Sequence, residues 1–461
     1  MQSNSLSKQE WRSGISLASI YVLRMLGLFM VIPVIAVAAT SYPDYTPLWV
    51  GLAIGGYGLT QAILQIPMGL LSDKWGRKPV IYLGLFLFAI GSLIAGLADS
   101  MWLLTIGRIL QGSGAIAGAI MALATDVTRE SQRTKIMALI GVSIGMSFYI
   151  ALLLGPLIAS NLGMQGIFLI TAALSLLCFP LVKFGIADVE STQPAGDSLP
   201  RLNMLPKLIK HQHLWRLNYS VLVIHLLITC FFVQVPILLI QADVPLGDHW
   251  MLYGCVLLIS VLGLLLLMKA SEKLAVGLSF KLALLIIAGA FFVLITSEPS
   301  WINIAIAGTL FFSGFNFMEA KLPSMVSSIA PAGSKGSAMG IYASHQFFGA
   351  FLGGVISGLL NSYFSSQYIF IMCLLVIFLL SLITKGLAGS ERLKRITLKP
   401  DGLSPLSQQE ATALLQQWSI SLSGLAGVRE AKADIDDNAI YLKVDVKTFD
   451  MSAANAILKT E

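Results

Sequence analysis

The sequence predicts an all-α polytopic membrane protein: twelve transmembrane helices in two six-helix bundles, followed by a small C-terminal α+β domain with a ferredoxin-like order of elements. Three observations predict it. Hydrophobic residues make up 56% of the 461-residue chain and charged residues only 12%, against about 25% charged in a typical soluble chain. Apolar runs of about 20 residues or more recur along it, each long enough to cross a hydrocarbon core. After residue 387 the runs stop, and charges and alternating apolar residues return.

The runs lie at 14–39, 47–71, 80–98, 101–125, 135–160, 166–187, 214–240, 250–270, 277–296, 301–326, 336–361 and 366–388. The polar stretch between the sixth and seventh divides the chain into a bundle at 1–187, a linker at 188–213, a second bundle at 214–391 and a soluble domain at 392–461. The first run follows Lys8 and Arg12, and Ala36-Val37-Ala38 mimics a cleavage site. Its length, and Arg24 within it, mark it as a retained helix rather than a signal peptide. The connections at 40–46, 99–100, 161–165, 241–249, 297–300 and 362–365 carry Asp44, Asp99, Asp243, Asp248 and Glu298 but no Lys or Arg. The other connections and both termini are basic. The positive-inside rule then puts both termini in the cytoplasm. The net charge of +6 is dispersed over these loops, so nucleic-acid binding is not expected.

Within 392–461, Leu393 to Leu398 reads as a strand and Ser404 to Trp418 as an amphipathic helix. Val428 to Ile435 and Ile440 to Val446 read as strands around an Asp436-Asp437-Asn438 turn, and Met451 to Lys459 as a helix. The order β-α-β-β-α is a split βαβ pattern. The spacing of Leu414, Leu422, Gly427-Val428 and Ala433-Asp434 resembles small heavy-metal-associated domains. The turn that would carry their thiols is Pro400-Asp401-Gly402-Leu403, so no metal is expected there, soft metals selecting thiolates. Cys178, Cys230, Cys255 and Cys373 all lie in apolar runs without metal-ligand spacing.

The loop between spans two and three reads Gly69-Leu70-Leu71-Ser72-Asp73-Lys74-Trp75-Gly76-Arg77-Lys78-Pro79. Gly69 and Gly76 permit a tight turn and close helix approach. Asp73 at a membrane edge needs a cation or a helix N-terminus, and the start of span eleven, near Gly333, is a candidate. Arg77 needs an acid, and Asp126 at the end of span four is the best placed. Span four also holds Arg108, followed by Gln111-Gly112, and span five holds Gly145 and Gly155-Pro156. Further polar groups inside spans are Arg24, Gln61, Gln65, His225, Gln234, Asn316, Glu319, His345 and Gln346. Ionisable residues within membrane helices are functional candidates by default.

The loop at 69–79 resembles the signature of the major facilitator superfamily at Gly69, Leu71, Asp73, Gly76, Arg77 and Lys78. Arg108 to Gly112 resembles that family's proton-coupling motif, and Gly145 with Gly155-Pro156 part of the antiporter motif of its drug-efflux members. Ala159-Ser160 stands where that motif ends in two glycines. The resemblance implies a monomeric, multi-pass inner-membrane transporter working by alternating access, not an enzyme. Its partners are a small-molecule substrate, protons and the bilayer. Its energy comes from the proton gradient, with no cofactor and no nucleotide loop. It implies a conformational latch of Gly69, Asp73, Gly76, Arg77, Lys78 and Asp126. Proton coupling falls to Glu319 with Arg24, Arg108 and His225 near it. The cavity is lined by Gln61, Gln65, Gln234, Asn316, His345 and Gln346. The expected activity is drug:proton antiport. Alternatives are a metabolite symporter or uniporter, or a non-transporting sensor acting through the C-terminal domain.

Overall fold

A computed structural model describes residues 6–188, 204–385, 387, 393–398, 400, 408–435, 438–445 and 448–459. Most of the linker, the 401–403 turn, the start of the helix expected from Ser404, and Asp436-Asp437 lie outside the described residues. The helices are α1 Lys8–Phe29, α2 Ile32–Ala38, α3 Pro47–Trp75, α4 Arg77–Gly96, α5 Met101–Ser113, α6 Ala117–Asp126 and α7 Glu130–Pro180. They continue with α8 Leu205–Ile209, α9 Gln212–Gln241, α10 His249–Ser271, α11 Val276–Thr296, α12 Trp301–Ile329, α13 Lys335–Tyr363 and α14 Ser366–Thr384. Among the described residues, eleven segments are long and apolar enough to cross a membrane. One of them contains the 51-residue α7, about 75 Å long at about 1.5 Å per residue and so long enough for two crossings. Its backbone breaks at Gly163, φ 68°. The span count is therefore eleven or twelve.

Two expected spans are interrupted. The first breaks between Phe29 and Ile32, where Pro33 has no N–H to return to the preceding turn. The fourth breaks at Gly114-Ala115-Ile116, and its freed Gly114 carbonyl accepts a hydrogen bond from Arg24 at 2.6 Å. A broken membrane helix is tolerated where a side chain satisfies the backbone it releases.

The first half holds two apolar clusters, one around Leu17, Ile81, Phe88 and Ile120 and one around Val34, Ile35, Ala53 and Phe168. The second half holds one around Phe231, Phe291, Phe311 and Ile377. The halves meet where α3 lies against α13. Backbone touches backbone there: a methyl on Gly51 would sit 2.2 Å from the Gly354 carbonyl oxygen, and one on Gly358 2.7 Å from that of Pro47. At the end carrying the α3–α4 loop the fit is looser, with a methyl on Gly340 reaching 3.4 Å from Ile66.

The C-terminal segment contains β1 Leu393–Leu398, α15 Gln408–Ser423, β2 Val428–Asp434, β3 Ala439–Asp445 and α16 Met451–Lys459. α15 runs past the expected end at Trp418, because Leu422 reaches the same small core as Leu415 and Trp418. The strands form an antiparallel sheet of order β1-β3-β2.

Candidate functional site

The α3–α4 loop closes on Gly76, whose φ of 93° only glycine adopts without strain. The turn swings Arg77 back beneath α3. Arg77 Nε donates to Asp126 at 3.2 Å, and its NH1 donates to Ser72 Oγ at 2.8 Å and to Asp73. Asp73 and Asp126 therefore share one guanidinium, and the loop is tied to the end of α6. Lys78 donates to the Ile186 carbonyl at 2.8 Å and pairs with Asp188 at 2.5 Å, which holds the Asp188 carboxyl below its usual range. Beside this network Arg129 donates to both carboxylate oxygens of Glu10 at 2.9 Å. Gly69 lies against Gly118 of α6. The start of α13 is covered otherwise: Gly333 packs under Tyr441 of β3, while Asp73 bonds Arg77 within its own half.

Arg24 and Arg108 are both buried in the first half. Arg24 NH2 donates to Gln61 at 3.2 Å and to the opened Gly114 carbonyl, and Gln61 donates to Gln65 at 3.1 Å. Arg24 Nε and NH1 have no partner. Arg108 donates to the Ala53 carbonyl at 3.2 Å and to Gln111 at 2.8 Å, and stacks on Tyr57 at 4.9 Å. Gln111 in turn donates to Ser92 at 2.7 Å. These hydrogen bonds all stay within the first half. The expected grouping of Arg24 and Arg108 around Glu319 is therefore not what the fold assembles. The two arginines stand on α1 and α5, directed into their own bundle, whereas Glu319 stands on α12.

Around Glu319 the second half builds its own cluster. His225 Nδ1 lies 3.8 Å from Glu319 Oε1 and 3.0 Å from the Val221 carbonyl. His225 Nε2 lies 2.8 Å from the Gln346 amide nitrogen. A neutral ring with its proton on Nδ1 donates to the carbonyl and accepts from the amide. Glu319 Oε1 and the Tyr342 hydroxyl are buried without hydrogen-bond partners. Asn316, one helical turn from Glu319, reaches across to the first half: its amide nitrogen donates to Tyr149 at 2.8 Å and lies 3.4 Å from Ser260 Oγ. His345 Nδ1 bonds back to Ile341 O at 2.8 Å. Gln234 is buried with its amide nitrogen unpartnered. An aromatic patch of Phe29, Phe148, Phe232 and Phe312 lies between the halves.

The expected glycine face of span five divides. Gly155 presses on the Met30 carbonyl, at the break between α1 and α2, and is followed by Pro156. Gly145 has nothing within 4 Å of an added methyl and lies beside exposed Val142 and Met146. Tyr149, Ser260, Tyr342 and Ser92 were not singled out from the sequence. Their signal is weak, since each is a lone polar group in an apolar run. Cys178, Cys230 and Cys373 are buried free thiols and Cys255 is exposed. Among the described residues no cluster of His, Cys, Asp and Glu could hold a metal.

The family model for the Major Facilitator Superfamily matches residues 17–320. The chain is similar to the inner membrane transport protein YajR of Escherichia coli (strain K12), 39% identical over 374 residues, covering 80% of this chain and 82% of that one. It is also similar to the multidrug resistance protein MdtH of Proteus mirabilis (strain HI4320), 27% identical over 349 residues, covering 72% of this chain and 82% of that one. Among solved structures, the nucleoside transporter NupG has the same fold with a TM-score of 0.65 at 13% identity, covering 81% of this chain and 99% of that one.

Proposed function

Because the chain belongs to the major facilitator superfamily, a family of transporters rather than enzymes, we propose that it is a proton-coupled antiporter that expels small, lipophilic compounds by alternating access. It has twelve spans, with α7 crossing twice, both termini in the cytoplasm, and an inner-membrane location. Its two bundles are residues 1–187 and 214–391, joined by the 188–213 linker. Residues 392–461 form a ferredoxin-like domain, and the transporter works as a monomer.

One observation carries the reading. Glu319 is a carboxyl group within a membrane helix, beside His225, with one oxygen unpartnered. An unpaired buried charge is costly, so the site favours binding a proton when closed and releasing it when wetted. Asn316 on the same helix bonds Tyr149 of the other half. A shift of α12 on proton binding therefore alters a contact between the halves. The aromatic patch suits a flat apolar solute, and the similarity to MdtH supports efflux.

Asp73, Arg77 and Asp126 form the latch. In the opposite state Asp73 leaves Arg77 for the N-terminus of α13, where the helix dipole favours an anion. Everted vesicles test the direction of coupling. Substrate added to vesicles holding an acid interior should discharge the pH gradient, and its accumulation should collapse with a protonophore. Uptake into right-side-out vesicles accelerated by an inward proton gradient would contradict antiport.

A further inference from the structure

The C-terminal sheet has two faces. Alternation puts Ile440, Leu442 and Val444 of β3 and Leu398 of β1 into a core closed by Leu415, Trp418, Leu422 and Ala454. The opposite face carries Ala439, Tyr441 and Lys443 of β3 with Arg395 of β1. An isolated domain would leave that face in water, yet Tyr441 is 3% exposed and Lys443 7%.

What covers it is the turn between α12 and α13. Arg395 donates from Nε to the Ser327 carbonyl at 3.1 Å, from NH1 to that of Pro331 at 3.3 Å, and from NH2 to that of Ala330. Lys443 donates to the Ile329 carbonyl at 3.2 Å. The carbonyls of Ser327, Ile329 and Ala330 are ones a helix C-terminus leaves without intrahelical partners, and cations are favoured at that end of the dipole. Ala332 packs with Ala439 and Tyr441. Gly333, at φ 71°, lies so close under the Tyr441 ring that a methyl there would be 2.8 Å from it. Lys432 of β2 reaches Met204 at 3.4 Å, just before α8.

We propose that the C-terminal domain is a docked brake: seated on the α12–α13 turn, it covers the start of α13 and obstructs closure of the α3–α4 loop onto it. The inference rests on the latch reading given above, in which Asp73 moves to the α13 N-terminus. The side chains that hold the domain, Arg395 and Lys443, grip α12, the helix that bears Asn316 and Glu319. Tyr441 then stands over the residues the loop must reach. While the domain is docked, the end of the molecule bearing the α3–α4 loop stays open. When it lifts, that end closes more readily and the cycle turns over faster.

The test uses the full chain. Docking is read from disulfide formation between cysteines placed at Ala332 and Ala439. Closure is read from spin-label distances between Lys183 and Lys273, at the α3–α4 end of the two halves. The Arg395→Gln/Lys443→Gln double variant should cut the crosslink several-fold and move the distance distribution shorter. Tyr441→Ala, which keeps both capping cations, should shorten the distance while leaving Arg395 and Lys443 in place, and it carries the test should the double variant not fold. Undiminished crosslinking in the folded double variant would overturn the proposal, as would undocking with no shortening. Adding Asp73→Asn separates the two readings. Shortening abolished by it supports brake and latch together. Shortening that survives it supports the brake and removes Asp73 from the latch.

Discussion

Replacing Gly354 by valine should open the seam between the halves at the end away from the α3–α4 loop. A Cβ at this position falls 2.6 Å from the Gly51 carbonyl oxygen and 3.1 Å from the Gly55 nitrogen. Ordinary carbon–oxygen contact is about 3.4 Å, so α3 and α13 must part by roughly 1 Å, and the β-branched methyls add to it. Overpacking of this kind costs about 1–3 kcal/mol. Loss of a mid-helix glycine acts the other way, by at most about 1 kcal/mol of helix propensity, and the backbone clash prevails. Because the clash exists only while the seam is closed, the population of that state falls relative to the open one by about 5- to 150-fold at most. Spin labels at Ser41 and Ser362, at that end of the two halves, read the change as a new, longer distance component in a background with exposed Cys255 replaced. Gly145→Ala is the control, since nothing lies within 4 Å of its added methyl, and it should leave the distribution untouched. An unchanged distribution in a folded Gly354→Val protein would refute the reasoning, as would an equal shift in the control.

Other perturbations follow from the same geometry. Asp126→Asn removes the carboxylate that receives Arg77 Nε. With both partners largely shielded the pair is worth about 1–3 kcal/mol, so transport should fall about tenfold or more at normal expression; near-normal transport would count against the latch. Gly76→Ala forces a side chain into φ 93°, costing about 1–3 kcal/mol, and should lower the melting temperature measured by intrinsic fluorescence; an unchanged melt contradicts the strain. His211 accepts the Leu214 N–H at Nδ1. Burial, then the charges of His213 and Lys443, hold its pKa below the usual histidine value, against an opposing pull from Glu430. The docked fold thus favours the neutral ring, and its contribution is present above the ordinary histidine pKa and lost as pH falls below it. Crosslinking between positions 332 and 439 should weaken on acidification, and His211→Asn, which keeps a capping oxygen, should flatten the curve; an identical pH profile in that variant would exclude His211.

Much of the membrane architecture is legible in the sequence because hydropathy and loop charge are coarse, repeated signals. Lys74, Arg77 and Lys78 on one side and Asp44 and Asp99 on the other mark opposite ends of the first four spans without any packing argument. The break between α5 and α6 is only half legible: Gly112-Ser113-Gly114 is a weak helix-forming stretch, but its neighbours continue the apolar run. What satisfies the carbonyl the break frees is Arg24, 90 residues away. The placement of the buried cations misleads for a related reason. Depth along a span follows from counting residues, but facing does not, so Arg24 and Arg108 read as neighbours of Glu319 when they bond within their own half. Tyr149 and Ser260 gain meaning only through Asn316 on another helix. The docking face of the C-terminal sheet is present as alternation, since Tyr441 and Lys443 oppose Leu442 and Val444. Nothing local says that this face is covered.

Glu319→Gln tests the central claim most directly. Glutamine keeps the volume and the hydrogen-bonding capacity of the protonated acid but carries no ionisable proton. In proteoliposomes with an internal pH reporter, substrate addition to the wild-type protein should move protons against the substrate flow. The variant should still bind substrate, shown by thermal shift, and should exchange it without proton movement and without dependence on the pH gradient. Substrate-driven proton movement of wild-type size in Glu319→Gln would contradict the account.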